Sequence, residues 1–220
     1  SAMDDERTAP IDGVVYDFGE VVFVLATTDP GRLSEAFNSR PDKTYLRSYT
    51  LEEMAGIIWL HGKENLSGHE LPREVCLEIA ARMRCNPRRA VRCLTERLLP
   101  YFHGETHGDD EKFDVKRLAR AVTHEAVCRY FDEQDIDLNG LDVVAKNYLN
   151  YLHRNGATPE ERLRQGLGIS NRGDFIEVDE FLSQRLGLVS ISSAGRALSP
   201  QGRKYLTAPL DLREKISRQQ

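Results

Sequence analysis

Apolar residues in the first fifty positions form short runs, which predict β-strands. The longest run covers residues 21–26, VVFVLA, and is rich in β-branched side chains. Such a run is typical of a strand that is covered on both faces, as in a sheet flanked by helices. Residues 14–18 precede a short glycine-containing connection to this run and predict a hairpin with it, while residues 44–49 predict a third strand.

These strands are too few for a complete sheet. Two or three strands do not form a stable sheet core alone. Residues 1–49 are therefore predicted to be the remainder of a larger α/β domain. The polar stretch at residues 4–11, which contains Pro10, is predicted to be a loosely ordered lead-in.

The apolar spacing changes to a helical period after residue 50. Thr50 and Glu53 have the spacing of a capping box at the start of a first helix. Pro72 suits the first position of a second helix, and Asn86 followed by Pro87 predicts the start of a third. The third helix is predicted to stop near residue 100, where another proline stands.

Two shorter helices are predicted at residues 116–122 and 124–133, the latter capped by Thr123. Before them, residues 103–114, HGETHGDDEKFD, are polar and contain glycine, which indicates a loop or insertion. Residues 50–134 are therefore predicted to form a small helical domain.

The last third of the chain has a different pattern. Residues 135–141 are rich in Asp, Asn and Gly and predict a linker. Three helices follow in the prediction, then a hairpin at residues 188–198 and a final helical turn from Ser199. Three helices followed by a β-hairpin are typical of a winged-helix domain, here at residues 135–207, and residues 208–220 are predicted to be a charged tail.

Composition is that of a protein without a membrane span: 40% hydrophobic and 30% charged residues, with a mean hydropathy of −0.50. No segment reaches the ~18 consecutive apolar residues that a membrane span needs. The four cysteines show no C-x-x-C spacing, which favours free thiols in a reducing, cytoplasmic compartment.

Charge is distributed unevenly along the chain. The net charge is −5, yet residues 141–220 hold 12 basic and 9 acidic residues. This mild positive bias makes the C-terminal part the better candidate for contact with nucleic acid.

No phosphate-binding loop is present in the sequence. Such a loop needs the spacing G-x-x-x-x-G-K-[ST], so that backbone N–H groups and a lysine surround the phosphates and a hydroxyl holds magnesium. The nearest stretch, Gly56 to Gly62-Lys63, has five intervening residues and is followed by Glu64. The chain by itself is therefore not expected to hydrolyse ATP.

Residues 21–40 resemble the sensor 1 strand and Ser-Arg motif of AAA+ ATPases of the clamp-loader and RuvB group. The resemblance places Thr28 at the sensor 1 position, where a polar side chain helps to orient the attacking water; Thr27 is the neighbouring alternative. It places Arg40, after Ser39, at the arginine-finger position, which stabilises charge on nucleotide bound by the next subunit. Pro41 departs from the group's pattern. The residues alone also fit a strand that ends in a turn and a surface arginine.

Residues 86–92, NPRRAVR, resemble the sensor 2 motif at the start of the third lid helix of the same group. The resemblance makes Arg88 the sensor 2 residue and adds Arg92, one turn further, to the nucleotide-binding set. An arginine on the first turn adds its charge to the positive end of the helix, which suits phosphate. A solvated basic helix start is the alternative.

Residues 169–206 resemble the winged helix of the RuvB group. Arg196, predicted at the wing tip, is the first candidate for DNA contact, and supporting phosphate contacts are predicted for Arg172, Arg203 and Lys204. The helix that would enter a major groove carries four acidic residues at positions 174–180. This acidic face argues against base reading by that helix, so either the wing binds DNA or the domain contacts protein.

No metal site is predicted. His103 and His107 have the spacing of metal ligands only on a helix, and the glycines around them disfavour a helix there.

The predicted fold class is mainly α with small β elements: remnant strands of an AAA+ α/β domain, an AAA+ helical lid and a C-terminal winged helix. The resemblance implies the C-terminal portion of an ATP-driven motor that acts on duplex or branched DNA, next to like subunits in a ring homo-oligomer. ATP and Mg²⁺ would serve the full-length parent, with none expected on this chain. The alternative is a non-enzymatic winged-helix module that binds DNA or protein.

Overall fold

The computed structural model describes residues 8–17, 19, 22, 24–27, 33–35, 39, 42–106, 114–208 and 211–212. The chain divides into two compact units, with the division after Leu46. The described residues are mainly helical and contain two small two-stranded sheets, which confirms the predicted fold class at this level. No helix in the described ranges has the length and apolar content that crossing a membrane requires.

The first unit contains an antiparallel hairpin of β1 (Thr8–Ile11) and β2 (Val14–Asp17). Its turn is formed by Asp12 and Gly13, whose φ angles of 50° and 81° are both positive, as a two-residue hairpin of type I′ requires. The predicted pairing of residues 14–18 with residues 21–26 is therefore wrong, because residues 14–17 pair with residues 8–11. The Asp-Gly pair is the stronger local turn signal, and it makes a strand of residues that were predicted to be a lead-in.

The apolar run at residues 21–26 is not a buried strand where the structure describes it. Val22 and Val24 expose 85% and 90% of their surface, and residues 24–27 have no regular secondary structure. Val21 and Phe23 lie outside the described residues. Residues 44–49, predicted as a third strand, also have no strand structure, and Leu46 is 93% exposed.

The second unit begins with helices whose ends the sequence specifies well. Its helices are α1 Leu51–Asn65, α2 Arg73–Arg82, α3 Pro87–Cys93, α4 Leu99–Thr106, α5 Val115–Ala121, α6 His124–Glu133, α7 Val143–Asn155, α8 Glu160–Leu167, α9 Arg172–Glu180 and α10 Pro200–Thr207. Thr50 and Glu53 form the predicted capping box, in which each side chain accepts from the other residue's backbone N–H. Asn86 and Thr123 cap α3 and α6 as predicted. Pro72 is the N-cap of α2 rather than its first residue.

The third predicted helix does not stop at Pro100. A π-helical turn, Leu94–Leu98, joins α3 to α4, and the Leu99 N–H donates to the Leu94 carbonyl. This wider turn lets the helix continue through a proline, which has no N–H to donate. Part of the predicted loop is therefore helical up to Thr106, and residues 107–113 lie outside the described residues.

Residues 135–141, predicted as a linker, form a packed turn. The Arg84 Nε donates to the Gly140 carbonyl at 2.8 Å. Gly140 has a φ of +77°, and a Cβ at this position would lie 2.8 Å from the carbonyl oxygen of Arg82. The segment is therefore a fixed corner that only glycine fits, and the predicted boundary between the two helical domains stays a prediction.

The last part of the chain has the predicted order of three helices, hairpin and helix. A π-helical turn, Phe181–Arg185, extends α9, and β3 (Val189–Ser192) pairs antiparallel with β4 (Gly195–Leu198). Thr158 exchanges two backbone hydrogen bonds of 2.8 Å with Arg196, which fixes the hairpin to the start of α8. A Cβ on Gly195 would lie 2.3 Å from the Thr158 carbonyl oxygen, so this close approach requires glycine.

One hydrophobic core runs through the second unit. Its largest fully buried side chains come from both its helical part and its C-terminal part: Tyr148, Phe102, Phe131, Phe175, Met54, Ile58, Leu66, Ile79, Leu94, Leu98, Leu141 and Leu149. Each such side chain contributes about 1.5–3 kcal/mol on burial.

Candidate functional site

The start of α3 presents one arginine to solvent. Asn86 caps this helix by accepting from the Arg89 N–H at 3.1 Å. Arg88 lies on the first turn and is exposed, and no residue in the described part of the chain forms an ion pair with it. Arg92, one turn further, pairs with Glu96 at 3.1 Å. Both predicted nucleotide contacts are exposed, but of the two only Arg92 has an ion-pair partner among the described residues.

Arg89, the neighbour of Arg88, is directed towards the C-terminal helices. It pairs with Glu177 of α9 at 2.8 Å and with Asp142, the N-cap of α7, at 3.4 Å. These two contacts fix the orientation of α3 against the C-terminal helices. Arg88 and Arg89 therefore differ in role although they are adjacent in sequence.

Asp142 interacts with two arginines, Arg84 and Arg89. Its carboxylate accepts from the Ala145 N–H at 2.9 Å and lies 2.8 Å from the guanidinium of Arg84, which is buried. Burial of the carboxylate opposes ionisation, but the charge of Arg84 and the Ala145 hydrogen bond outweigh it. The pKa of Asp142 is consequently held below its ordinary value.

An open cleft of about 380 Å³ lies beside this network. Its lining includes the Arg89 guanidinium but also the carboxylates of Asp142, Asp174 and Glu177. Three carboxylates against one paired arginine give the cleft no net attraction for phosphate. It is not a nucleotide site by its own charge.

Arg196 is not at the tip of the hairpin. The tip consists of Ser193 and Ala194, because Ser192 pairs with Gly195 across the turn. The Arg196 side chain is only 17% exposed and lies between Asp179 at 3.1 Å and Glu160 at 2.9 Å.

Two aromatic side chains complete the surroundings of Arg196. Its guanidinium lies 5.6 Å from the ring centre of Phe175, and the Tyr148 hydroxyl donates to Asp179. Burial and this hydrogen bond raise the pKa of Tyr148, so the hydroxyl keeps its proton. Arg196 therefore joins β4 to α8 and α9, and contact with DNA would require it to leave Glu160 and the buried Asp179.

The other predicted DNA contacts are more accessible. Arg203 and Lys204 are exposed on α10, which directly follows the hairpin. Arg203 donates to the Leu198 carbonyl at 2.9 Å, and no described residue forms an ion pair with either side chain. Arg172 is exposed at the start of α9 but pairs with Glu160 at 3.2 Å. Of the four predicted DNA contacts, Arg203 and Lys204 are therefore the two without an ion-pair partner among the described residues.

The outer face of α9 is acidic, but it carries three of the four predicted carboxylates, because Asp179 is buried. Asp174, Glu177 and Glu180 are exposed, and Ile176 is 39% exposed among them. Only Glu177 has a basic partner, Arg89, among the described residues. This helix face repels the phosphate backbone.

Thr28 and Arg40, the predicted sensor 1 and arginine-finger residues, lie outside the described residues. Thr27, the alternative to Thr28, is exposed. The structure therefore leaves both catalytic assignments as predictions.

Sequence reasoning missed one cluster of possible ligands. Glu78 of α2 lies close to His124 and Cys128 of α6. The only local signal was the spacing of His124 and Cys128, which lie one turn apart in a helix that Thr123 caps. Glu78 is far away in sequence, and only the packing of α2 on α6 brings it near.

Comparison with known proteins shows one consistent likeness. A curated "Holliday junction branch migration complex subunit RuvB" from Prochlorococcus marinus is 26% identical over 162 residues, which cover 73% of this chain and 42% of that protein. Its namesake from Wolbachia sp. subsp. Drosophila simulans is 28% identical over 193 residues, which cover 87% of this chain and 55% of that protein. No protein-family model matches the chain.

The fold comparison agrees with the sequence comparison. The solved "Thermotoga maritima RuvB Holliday junction branch migration motor" matches with a TM-score of 0.60 and 24% identity over 80% of this chain and 55% of that one. A mutant of the same Thermotoga maritima RuvB matches with a TM-score of 0.61 over 82% and 56%. The chain spans about half the length of the relatives it matches.

The fold of the described residues is similar to part of the solved RuvB structures. The chain is RuvB-like, since both the sequence and the fold comparisons lead to RuvB.

Proposed function

We propose that this chain is the C-terminal part of an ATP-driven motor that acts on DNA, of the type that its RuvB relatives are named for. The observation that carries the proposal is the joint likeness in sequence and fold, which extends over about four fifths of the chain. A ring of like subunits and a cytoplasmic location belong to the same proposal.

In this proposal residues 50–134 are the helical lid of the motor. Arg88 contacts the phosphates of ATP, supported by its exposed position on the first turn of α3. Arg92 is a weaker contact because Glu96 already pairs with it. Thr28 would orient water at sensor 1, and Arg40 would act on nucleotide of a neighbouring subunit. When bound, ATP with Mg²⁺ supplies the phosphoryl group whose hydrolysis drives the motor.

In this proposal most of the nucleotide contacts belong to a phosphate loop that the sequence does not contain, so the chain alone should bind nucleotide poorly. The lysine and backbone N–H groups of a phosphate loop supply most contacts to the phosphates, and the sequence has no such loop. Calorimetric titration with Mg-ATP is expected to give no measurable heat of binding. Micromolar binding would contradict the proposed role.

Residues 135–207 act in this proposal as a winged helix that contacts DNA. Arg203 and Lys204 are the proposed phosphate contacts, with Arg172 in support, because α10 follows the hairpin and presents both side chains to solvent. Arg196 is a positioning residue that holds the hairpin against α8 and α9 through Glu160 and Asp179.

Fluorescence anisotropy on a labelled four-way junction, at two salt concentrations, tests these assignments. The double variant Arg203→Ala, Lys204→Ala should weaken binding and lower the slope of log Kobs against log[salt] by about one for each lost phosphate contact. The matched control is Arg88→Ala, Arg92→Ala, which removes the same charge from α3. Equal weakening by both variants would show a general charge effect and contradict the proposed DNA face.

A second function has one observation in its favour. The acidic outer face of α9, with Ile176 among the carboxylates, suits a basic protein partner better than DNA. A folded protein that shows no salt-dependent DNA binding in the same titration would favour this protein-binding module.

A further inference from the structure

Three side chains with metal-ligating atoms meet between α2 and α6, away from the surfaces discussed so far. His124 and Cys128 lie one turn apart on α6, and Glu78 lies on α2 opposite them. The Cys128 Sγ is 3.7 Å from the His124 Nε2, and that nitrogen is 3.7 Å from the Glu78 Oε2. All three ligand atoms lie within 4.8 Å of one another.

These separations are close to those of a tetrahedral metal site. Zinc binds nitrogen and oxygen at about 2.0–2.2 Å and thiolate sulfur at about 2.3 Å, so two ligand atoms on one ion lie roughly 3.3–3.7 Å apart. The pairs that contain the His124 nitrogen already have this spacing. The third pair, Cys128 and Glu78, has its ligand atoms within 4.8 Å of each other.

The charges around the cluster also fit a divalent cation. Glu78 directs its Oε1 to the Arg82 Nε at 2.7 Å, which leaves the Oε2 facing His124. The charge of Arg82 is shared with Asp132, 3.0 Å away. One divalent ion, one thiolate and one glutamate are together neutral, and Arg82 with Asp132 are neutral beside them.

Solvent reaches the cluster from one side. The His124 side chain is 41% exposed, and it lines an open cleft of about 590 Å³ together with Glu78, Glu74 and Glu52. The additional carboxylates raise the local concentration of cations. A fourth ligand, a water or a group from a partner, can therefore approach from this cleft.

We propose that Glu78, His124 and Cys128 form a three-ligand site for a borderline-soft divalent cation such as Zn²⁺. The imidazole nitrogen and thiolate sulfur select zinc or cobalt over magnesium and calcium, which prefer oxygen. On binding, the Cys128 thiol releases its proton to solvent and its sulfur bonds to the metal. The site joins α2 to α6 and is independent of the proposed DNA function.

Cobalt titration of the whole protein tests the site, because a cobalt–thiolate bond gives a charge-transfer absorption band that other ligands do not. The band should appear with one equivalent of Co²⁺ and disappear when one equivalent of Zn²⁺ is added. Cys128→Ser should abolish the band. His124→Gln should weaken metal binding by more than about tenfold, since loss of even an outer-shell partner costs 10–100-fold.

The controls are Cys93→Ala, a buried thiol outside the cluster, and His153→Gln, an exposed histidine on α7. Both should keep the band and the affinity, and circular dichroism establishes that every variant is folded. Absence of the band in the unmodified protein, its persistence in Cys128→Ser, or equal weakening by the controls would overturn the proposal.

Discussion

Four valines show how the same side chain has opposite environments in the two units of this chain. Val22 and Val24 of the first unit are 85% and 90% exposed, whereas Val75 and Val127 of the second unit are fully buried. The intrinsic hydrophobicity is the same in all four cases. What differs is whether the chain itself supplies a surface to cover the side chain.

The helices of the second unit form most of their backbone hydrogen bonds without a neighbouring element. Several begin at a local side-chain cap such as Thr50, Asn86 or Thr123. A buried strand instead needs neighbouring strands on both sides and layers above and below. The run at residues 21–26 has the composition of such a strand, but the described residues contain no sheet that covers it.

The largest expected effect contrasts core and exposed apolar residues directly. Phe131→Ala removes a fully buried ring and should lower the free energy of unfolding by about 3–5 kcal/mol. Val24→Ala should change it by less than about 0.5 kcal/mol. Urea unfolding followed by circular dichroism measures both, and similar losses from the two variants would refute the contrast.

Buried and exposed charges should differ in the same way. Arg82 is paired with Glu78 in the core, where both side chains are nearly inaccessible. Arg82→Ala removes the cation that pairs with a buried carboxylate and should cost about 3–5 kcal/mol. The matched change Arg92→Ala removes only the exposed pair with Glu96 and should cost less than about 1 kcal/mol. A small loss for Arg82→Ala would mean that Glu78 finds solvent or another partner.

Glycines in the two units sharpen the comparison. Gly140 and Gly13 have similar φ angles, +77° and +81°, but a Cβ on Gly140 would collide with the Arg82 carbonyl while one on Gly13 meets nothing within 4 Å. Gly13→Ala should cost about 1–2 kcal/mol, from the left-handed backbone alone. Gly140→Ala should destabilise the protein more than Gly13→Ala, so the Gly140→Ala variant should have the lower melting temperature. Equal melting temperatures would mean that the backbone at residues 135–141 moves to accommodate the added Cβ, which would contradict the prediction.

A pH effect should arise from Asp142, the residue that follows the corner in the second unit. The lowered pKa of Asp142 means that its stabilising contribution is present above its unfolded value, near 3.8, and is lost as the pH falls through the lower folded value. Asp142→Asn should reduce stability by about 1–3 kcal/mol at neutral pH and by less in acid. Unfolding measured between pH 7 and pH 3 tests this, and a pH-independent difference would contradict the assigned charge interaction.

Local signals in the sequence were sufficient for most of the helices. Caps at Thr50, Asn86, Thr123 and Ser199 mark where helices begin, since a cap acts within a few residues of its helix. The hairpin at residues 188–198 also followed from local alternation. The Asp12-Gly13 turn carried an equally local signal, which the longer apolar run obscured.

Features that depend on distant contacts could not be predicted. The packed corner at residues 135–141 exists because the Arg82 backbone at the end of α2 and Arg84 in the following turn approach it. The inward position of Arg196 depends on Asp179 and Glu160, and neither pairing has a sequence signature. The sequence was sufficient to propose Arg88 and Lys204 as basic site residues. It was not sufficient to predict which arginines form ion pairs with carboxylates.

The most direct test of the proposed function is the affinity of the unmodified protein for a four-way DNA junction and for a linear duplex of equal length, measured by anisotropy across a salt series. The proposal predicts tighter binding to the junction and log Kobs that falls linearly with log[salt], with a slope of about −2 or steeper for two or more phosphate contacts. Absence of binding at low salt, or binding that does not change with salt, would contradict it.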